Sequence, residues 1–287
     1  MPELPEVETV RVSLAGQLCG QTIEGARTYR TNLRFPFPEN FSDRLAGATI
    51  SAVYRWSKYL LFSLNDGKLF WLVHLGMSGQ CRLVTKQDQP EKHDHLEVDF
   101  SGNLRLHYRD PRRFGFMDLL ESPENYPALA RLGREAILTS GTYPAAADRG
   151  AVDADYLYRH CVNKRTSIKQ GLFDQAIVAG LGNIYINEVL WQIGVDPRTP
   201  CYAVPQQLFT PLAVSIVEVL EQAVLSGGSS LKDFVNTDGS LGYFQHEWNV
   251  YDRAGHACEK TGCKGQIQRC VQNNRASFFC PIHQIKF

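Results

Sequence analysis

The hydrophobic period of this chain changes along its length, and that change limits the folds open to it. Over residues 49–120, apolar residues alternate with polar ones in short runs separated by turns such as Asn65-Asp66-Gly67. A period of two is typical of strands with one buried face, and Asp-Gly favours tight hairpins. From about Tyr156 the period becomes helical. The pattern predicts an α+β multidomain fold in which a β-sandwich precedes a helical region.

Helices are predicted on both sides of the strand region. The first begins near Pro5, which suits the opening turn of a helix, and ends near Gly20. The second begins at Thr210-Pro211 and ends at Gly227-Gly228. The two apolar faces are Val7, Val10, Leu14 and Leu18 in the first helix, and Leu212, Ile216, Val219, Leu220 and Ala223 in the second.

The 287 residues are enough for two compact domains, each with its own core. Prolines and an Ala-Ala-Ala-Asp stretch indicate that residues 136–155 are a linker. We therefore expect a helix plus β-sandwich over 1–135, a helical domain over 156–247 and a cysteine-containing hairpin over 248–287. Within the helical domain, residues 226–244 are rich in Gly, Ser and Asp, which predicts a long mobile loop.

The composition limits the cellular compartment and the binding partners that are expected for this chain. The first eleven residues carry three glutamates and no apolar run, which excludes a signal peptide. No apolar stretch approaches membrane-spanning length, so we expect a cytoplasmic protein with no membrane partner. The formal net charge of zero argues mildly against nucleic-acid binding. The charge is uneven, however, because residues 250–287 hold six basic and two acidic side chains.

Four of the eight cysteines are scattered, and four cluster near the C-terminus. The cluster has the pattern Cys-x4-Cys-x16-Cys-x2-His, and thiolates with an imidazole at both ends of a hairpin suit tetrahedral zinc. The ligands predicted from this spacing are Cys258, Cys263, Cys280 and His283. His256 and Cys270 are further candidates, and reduced cysteines without metal are the alternative. Four protein ligands leave no open position, so the zinc would be structural.

The N-terminus offers a nucleophile. Removal of Met1 would expose the secondary amine of Pro2, and an α-amine with a pKa of roughly 7.7–8 is partly unprotonated at neutral pH. Attack on a sugar C1′ gives an iminium ion, which acidifies the neighbouring C2′ hydrogen. Glu3 could then act as a general acid and base. The alternative is structural: the prolines shape a helix entry, and Glu3 and Glu6 compensate the helix dipole.

Residues 1–11, MPELPEVETVR, resemble the start of the formamidopyrimidine-DNA glycosylase/endonuclease VIII family. The resemblance implies that Pro2 is a Schiff-base nucleophile and that Glu3 is the proton donor. It also implies a structural role for Glu6. Lys58 matches a hairpin lysine that contacts the phosphate beside the damaged nucleotide and donates a proton in β-elimination. On residue type alone, Lys58 is an ordinary exposed lysine.

The motifs HLGMSG and RDPRRFG extend the resemblance. They imply that Met77, Arg112 and Phe114 fill the gap left by a flipped nucleotide, a task that any enzyme acting on an extruded base must solve. His74 and Arg113 match positions near the DNA backbone. Without the resemblance, a lone Met is a core residue and the arginine loop is a solvated turn with one buried Phe.

The segment Gly180-Leu181-Gly182-Asn183 is weak evidence for a dinucleotide site, because the third glycine is absent. It fits better as a turn whose amides and Asn183 side chain face a phosphate at a helix N-terminus. The segment resembles the family's helix–two-turn–helix motif, which implies that Asn183 binds phosphate. Lys169 lies where the family carries a lysine implicated with oxidised guanine.

The family's zinc finger is usually C-x2-C-x16-C-x2-C, so this chain departs from it in the first spacing and in His283. Arg275 matches the finger-tip arginine that contacts phosphate and donates a proton in δ-elimination. A lesion-capping loop matches residues 226–244. The resemblance therefore implies a monomeric base-excision repair enzyme, with double-stranded DNA in the cleft between its domains.

The expected reaction is removal of oxidised purines, such as 8-oxoguanine and formamidopyrimidines, followed by β,δ-elimination at the abasic site. One alternative is an endonuclease VIII-like enzyme that acts on oxidised pyrimidines. A second is a non-catalytic binder of damaged DNA, and a third is a zinc-finger regulator. The Pro2-Glu3 pair argues against the second, and the strand region against the third.

Overall fold

The computed structural model describes residues 2–228 and 248–287. Two compact units make up the chain. The first consists of Met1–Ala130, Thr139–Ala145 and Val224–Gln245, and the second of Arg131–Leu138, Ala146–Ala223 and His246–Phe287. Most of the loop predicted at 226–244 lies outside the described residues.

The first unit opens with helix α1, Leu4–Leu18. Pro5 lies in its first turn, where the missing N–H costs no hydrogen bond. The predicted face of Val7, Val10, Leu14 and Leu18 is buried. The short helices α2 (Phe41–Leu45) and α3 (Pro127–Ala130) also belong to this unit.

Eight strands form the body of the first unit. They are β1 (Ile23–Thr28), β2 (Ile50–Trp56), β3 (Tyr59–Leu64), β4 (Leu69–His74), β5 (Gln80–Thr85), β6 (Asp94–Phe100), β7 (Leu104–Arg109) and β8 (Phe116–Leu120). They pair antiparallel in two four-stranded sheets, with orders β2-β3-β4-β8 and β1-β6-β7-β5. Inward-facing residues of both sheets share one core with α1, which confirms the predicted helix plus β-sandwich.

The second unit is mainly helical. Its elements are β9 (Arg134–Glu135), α5 (Ala154–Cys161), α6 (Ile168–Phe173), β10 (Val178–Ala179), α7 (Asn183–Gln192), β11 (Gln268–Gln272) and β12 (Arg275–Phe279). Helices α4 (Pro144–Ala147) and α8 (Phe209–Leu225) span the unit boundaries. Strands β11 and β12 form a hairpin whose two-residue turn, Asn273-Asn274, has positive φ at both positions, as a type I′ turn requires.

Helix α8 corrects one expectation. With the turn before it, the helix spans Gln206–Leu225, in which an 18-residue window has a mean hydropathy of 1.6, long and apolar enough to cross a membrane. The expectation that no apolar stretch approaches that length is therefore wrong. Phe209, Leu212, Ile216 and Leu220 are nevertheless buried by the protein itself. A helix with one face in a protein core passes the same test of length and composition, so the feature is weak evidence for a membrane.

Candidate active site

The N-terminal residues are held in a fixed conformation. Pro2 is buried, and Glu3, only 3% exposed, is the N-cap of α1 with an extended backbone. The backbone N–H of Glu3 donates to Glu6 Oε2 at 2.8 Å, one half of a capping box. Because Glu6 is fully buried, this bond fixes the Glu3 backbone and with it the adjoining Pro2. Gly228 lies against Glu6, since a Cβ there would be 3.2 Å from the Glu6 Cα.

Lys58 lies in the two-residue turn between β2 and β3, where Trp56 pairs with Tyr59. The preceding residue, Ser57, has φ 56°, a conformation that a tight hairpin requires. Lys58 is only 6% exposed. It is therefore not the ordinary exposed lysine that residue type alone suggests.

A buried ion pair joins α1 to this hairpin, and sequence reasoning missed it. Arg55 is fully buried, and its Nε donates to Glu8 Oε2 at 2.9 Å. A terminal nitrogen of Arg55 donates to the Ser57 carbonyl at 3.1 Å, next to Lys58. Glu8 also accepts from Arg11 Nε at 3.0 Å. Only the i,i+3 spacing of Glu8 and Arg11 could have indicated part of this network from the sequence.

The residues predicted to fill the gap left by a flipped nucleotide, called the wedge residues from here on, lie on two loops. Met77 is half-buried, whereas Arg112, Arg113 and Phe114 are exposed. Phe114 is 44% exposed, and the Arg112 guanidinium lies over its ring at 5.2 Å. The expectation of one buried Phe in this turn is therefore wrong, whereas the solvated turn agrees with the exposed Arg112 and Arg113. An exposed aromatic ring beside a guanidinium is suited to stacking against a base.

A buried carboxylate holds these two loops together. Asp110, fully buried, accepts from Ser78 Oγ at 2.5 Å and from the Gly115 N–H at 2.8 Å. Ser78 Oγ in turn accepts from the Arg112 N–H at 3.1 Å. The loops also pack backbone to backbone, because a Cβ on Gly76 would lie 2.3 Å from Gly115 N. Asp110 was not predicted; its position before a proline in the RDPRRFG motif was the one available signal.

His74 ends β4, and its ring stacks on Phe116 with centroids 5.2 Å apart. Burial, together with the nearby charges of Lys58 and Arg34, lowers its pKa from 6.5 to about 4. The imidazole is therefore neutral at pH 7. Its Nδ1 accepts from the Gly76 N–H at 3.1 Å, which leaves the proton on Nε2. At a DNA backbone His74 would act as a neutral hydrogen-bond donor.

In the second unit, Asn183 is the first residue of α7 and is half-buried. Among the described residues, its Oδ1 has no hydrogen-bond partner. Gln175 shapes the preceding turn: its Oε1 accepts from the Gly180 N–H at 3.0 Å, and its Nε2 donates to the Leu181 carbonyl at 2.8 Å. The turn therefore presents an amide side chain at a helix N-terminus, an arrangement that binds anions.

The tip of the β11–β12 hairpin lies against α6. The exposed Arg275 guanidinium is 4.2 Å from the Phe173 ring. Lys169, only 4% exposed, donates from Nζ to the Ala276 carbonyl at 2.6 Å and to Ser277 Oγ at 2.7 Å. Lys169 thus stabilises the hairpin that carries Arg275. The pocket here is lined by Ser167, Lys169, Gln170, Phe173, Gln272, Asn273 and Arg275.

Three of the four predicted metal ligands lie together. The sulfur atoms of Cys258, Cys263 and Cys280 are within 4.8 Å of one another. The His283 ring nitrogens lie outside this group, and Nε2 is 2.7 Å from the Trp191 carbonyl oxygen. The further candidate ligands, His256 and Cys270, lie outside this group of sulfurs as well. Cys270 is on β11.

Each sulfur of the thiol cluster accepts an N–H. The Trp191 indole donates to Cys258 at 3.4 Å, the Gly265 backbone to Cys263 at 3.3 Å and the His283 backbone to Cys280 at 3.4 Å. Burial raises the pKa of Cys258, but the Trp191 and Lys260 N–H donors outweigh it and lower the pKa overall. Clustered sulfurs that receive N–H donors fit a thiolate-bound metal, so the donor set suits zinc.

Family models match both halves of the chain. The formamidopyrimidine-DNA glycosylase N-terminal domain matches residues 1–117, and the H2TH domain of the same enzyme matches residues 144–235. The formamidopyrimidine-DNA glycosylase of Chelativorans sp. is 43% identical, over 99% of this chain and all of that protein. The Azorhizobium caulinodans enzyme is 42% identical with the same coverage. The chain belongs to the formamidopyrimidine-DNA glycosylase family.

Solved structures agree with this assignment. A Lactococcus lactis Fpg mutant in complex with Fapy-dG containing DNA has a TM-score of 0.87 and 33% identity, and the match covers 99% of this chain and all of that one. The same enzyme with abasic-site DNA has a TM-score of 0.86 at 33% identity and the same coverage. The family resemblance, the fold class and the activity class, a base-excision DNA glycosylase and AP lyase, are confirmed.

Proposed function

We propose that this protein removes oxidised purines from double-stranded DNA and then cleaves the abasic strand by β,δ-elimination. The observation that carries the proposal is the buried Pro2-Glu3 pair, held at the start of α1 by the bond between the Glu3 N–H and Glu6. A protein that only binds DNA has no need of such a pair. Curated relatives at about 42% identity are named formamidopyrimidine-DNA glycosylases, and one solved neighbour holds Fapy-dG.

In the proposed reaction, the nitrogen of Pro2, freed of Met1, forms a bond to C1′ of the flipped nucleotide. The damaged base leaves with the electron pair of its glycosidic bond. The attached nitrogen then loses its own proton, and its lone pair expels O4′, which takes a proton from Glu3, so the sugar ring opens. The resulting iminium ion has no N–H proton to lose, so its charge persists and acidifies C2′. Loss of the C2′ proton expels the 3′ phosphate, and a second elimination expels the 5′ phosphate. Glu3 carries protons in these steps, and Lys58 and Arg275 serve as proton donors in the first and second eliminations.

The remaining residues bind DNA. Lys58, Asn183 and Arg275 contact phosphates, which gives affinity without sequence preference. Met77, Arg112 and Phe114 fill the gap left by the flipped nucleotide, and His74 and Arg113 lie near the DNA backbone. We assign Lys169 to DNA binding mainly through Arg275, because its Nζ bonds to the hairpin that carries that arginine.

A structural zinc completes the proposal, held by Cys258, Cys263, Cys280 and His283. It would stabilise the hairpin of Arg275 and supply no reaction step. The protein acts as a monomer in the cytoplasm, where bacterial DNA is found.

Borohydride trapping tests the nucleophile. We expect a covalent adduct between the native protein and a duplex with an 8-oxoguanine:C pair, and its loss when an N-terminal extension blocks Pro2. Pro2→Gly should also lower trapping strongly. Glu3→Gln should slow base excision roughly 10²–10⁴-fold while adducts with a pre-formed abasic site persist. Normal strand incision by the blocked protein would contradict the proposal.

One observation favours a second substrate class. The wild-type Lactococcus lactis enzyme has been solved with DNA that contains an oxidised pyrimidine, at a TM-score of 0.85 and 33% identity to this chain. The two substrate classes are distinguished by excision rates under single-turnover conditions, compared between 8-oxoguanine:C and thymine-glycol:A duplexes. Faster release of thymine glycol would replace the purine assignment with an endonuclease VIII-like one.

A further inference from the structure

A loop of the first unit that has no part in the proposed reaction presents an arginine and a phenylalanine at its tip. It comprises residues 31–37, between β1 and α2, and is called the 31–37 loop from here on. Leu33 anchors it, because this side chain is only 6% exposed and packs in the core of the first unit. The two residues that follow are solvated: Arg34 is exposed, and Phe35 is 52% exposed.

A backbone bond fixes the tip of the 31–37 loop to the loop that carries Phe114. The Arg34 N–H donates to the carbonyl of Gly115, the residue after Phe114, at 3.1 Å. Gly115 is itself held by the buried carboxylate of Asp110, to which its N–H donates at 2.8 Å. Arg34 therefore lies beside the wedge residues and depends on the same buried support as they do.

A row of aromatic rings leads from the tip of the 31–37 loop to His74. Phe35 meets Phe116 edge to face with centroids 5.3 Å apart, and Phe116 stacks on the His74 ring at 5.2 Å. The Arg34 guanidinium lies 5.4 Å from the centroid of the Phe35 ring. The tip is thus a second exposed arginine–phenylalanine pair next to the one formed by the wedge residues.

The charge of Arg34 acts on the same surroundings as the charge of Lys58. Burial is the main cause of the low pKa of His74, and the charges of Lys58 and Arg34 contribute to it. Burial also raises the pKa of Tyr59, and the Arg34 charge opposes that rise. In the part of the chain that the structure describes, no ion pair includes Arg34. Two cations around a neutral imidazole repel each other, so the arrangement favours an anion at this surface.

We propose that Arg34 is a further DNA-binding residue, which contacts a backbone phosphate on the same stretch of strand as His74, and that Phe35 is a positioning residue for its guanidinium. The inference rests on the proposed function, because it supposes DNA against the wedge residues, and it adds a third loop to that interface. The guanidinium donates charge-assisted N–H bonds to the phosphate oxygens. Because a phosphate carries no sequence information, the contact gives affinity and orientation without sequence preference.

Equilibrium binding of a duplex with a tetrahydrofuran abasic analogue tests the contact. We expect Arg34→Ala to weaken binding about tenfold at low salt, as the loss of one charge-assisted hydrogen bond would. The slope of log K against log salt should become shallower by about 1. Lys68→Ala is the matched control, since this exposed lysine precedes β4 whereas His74 ends it, about 20 Å along the strand. Equal slopes for the two variants would overturn the proposal.

The contacted phosphate is located with duplexes in which one phosphate at a time is replaced by an uncharged methylphosphonate. At the contacted position, the native protein and Arg34→Ala should bind equally well, because the partner of the guanidinium is already neutral. We expect that position to lie within one nucleotide of the one at which the native protein and His74→Ala become equal. A difference between the native protein and Arg34→Ala that persists at every position would overturn the phosphate contact.

The role of Phe35 is tested by a double-mutant cycle. Phe35→Ala should weaken binding of the same duplex, whereas Phe35→Tyr, which keeps the ring, should bind as the native protein does. In the Arg34→Ala background, Phe35→Ala should cause no further loss, since its effect passes through the guanidinium. Additive losses would show that Phe35 acts by itself and would remove it as a positioning residue.

Borohydride trapping by the native protein separates this inference from the proposed function. If the native protein traps abasic-site DNA while Arg34→Ala keeps the native salt slope, the inference alone is overturned. If the native protein binds the analogue through Arg34 but forms no covalent adduct, the proposed reaction is overturned and the phosphate contact stands.

Discussion

The two units hold their proposed functional residues by different means. In the first, buried carboxylates do so: Glu6 bonds to the Glu3 backbone, Glu8 pairs with Arg55, and Asp110 joins the wedge loops. In the second, the neutral Gln175 shapes the turn before Asn183, and the Lys169 ammonium bonds to the hairpin that carries Arg275. A buried carboxylate that loses its partner is costly, whereas a neutral hydrogen bond is cheap to lose. The proposed functional residues of the first unit should therefore be the more sensitive to the loss of a supporting partner.

The largest expected effect tests this contrast at the Arg55–Glu8 pair. Arg55→Met should lower the free energy of unfolding by about 3–5 kcal/mol, because it removes one partner of a buried ion pair. Urea denaturation measures this. Lys86→Met is the control, since its pair with Glu24 is partly exposed, and it should cost less than about 1 kcal/mol. Similar costs for the two variants would break the comparison.

The next effect concerns Asp110. Asp110 accepts from Ser78 and Gly115 with its two carboxylate oxygens. An asparagine amide has only one oxygen, so in Asp110→Asn the NH₂ group faces either Ser78 or Gly115 in place of an acceptor. We expect a loss of about 1–3 kcal/mol in stability and slower excision from 8-oxoguanine:C in single-turnover assays. Asp99→Asn, on the same sheet but paired with Arg105 near the surface, should excise at the native rate. An unimpaired Asp110→Asn would show that the loops hold without the carboxylate.

In the second unit the effects should appear in DNA affinity. Arg275→Ala removes the cation that we propose contacts a phosphate, so the slope of log K against log salt should become shallower by about 1. Asn183→Ala removes a neutral contact and should weaken binding at every salt concentration without changing the slope. Arg269→Ala, on the same hairpin, is the control. Unchanged affinity in both variants would remove this unit from the proposed interface.

The smallest effect is the acid sensitivity of His74. Its pKa is lowered to about 4 in the folded protein, mainly by burial, from 6.5. Between these values the unfolded chain binds a proton that the folded chain does not, so stability falls as pH drops from about 6.5 towards 4. His74→Gln should lose less stability over that interval in urea titrations. Identical pH profiles would show that His74 does not contribute.

Much of the architecture was predictable from the sequence because local patterns carry it. The period of two gave the strands, the spacing of Val7, Val10, Leu14 and Leu18 gave the buried face of α1, and the MPELPEVETVR terminus indicated the family. The cysteine spacing likewise anticipated the thiol cluster. These features depend on residues that are close in sequence.

The tertiary structure alone decided which side chains support the candidate site. Arg55 reaches Glu8 across 47 positions, Ser78 reaches Asp110 across 32, and Trp191 reaches Cys258 across 67. No periodicity records such contacts, because a hydrogen bond depends on where two chain segments meet in space. Sequence thus determined the elements and the family to which the terminus points. Only folding determined the partners that fix each group in place, since desolvation and bond geometry exist only once the chain has packed.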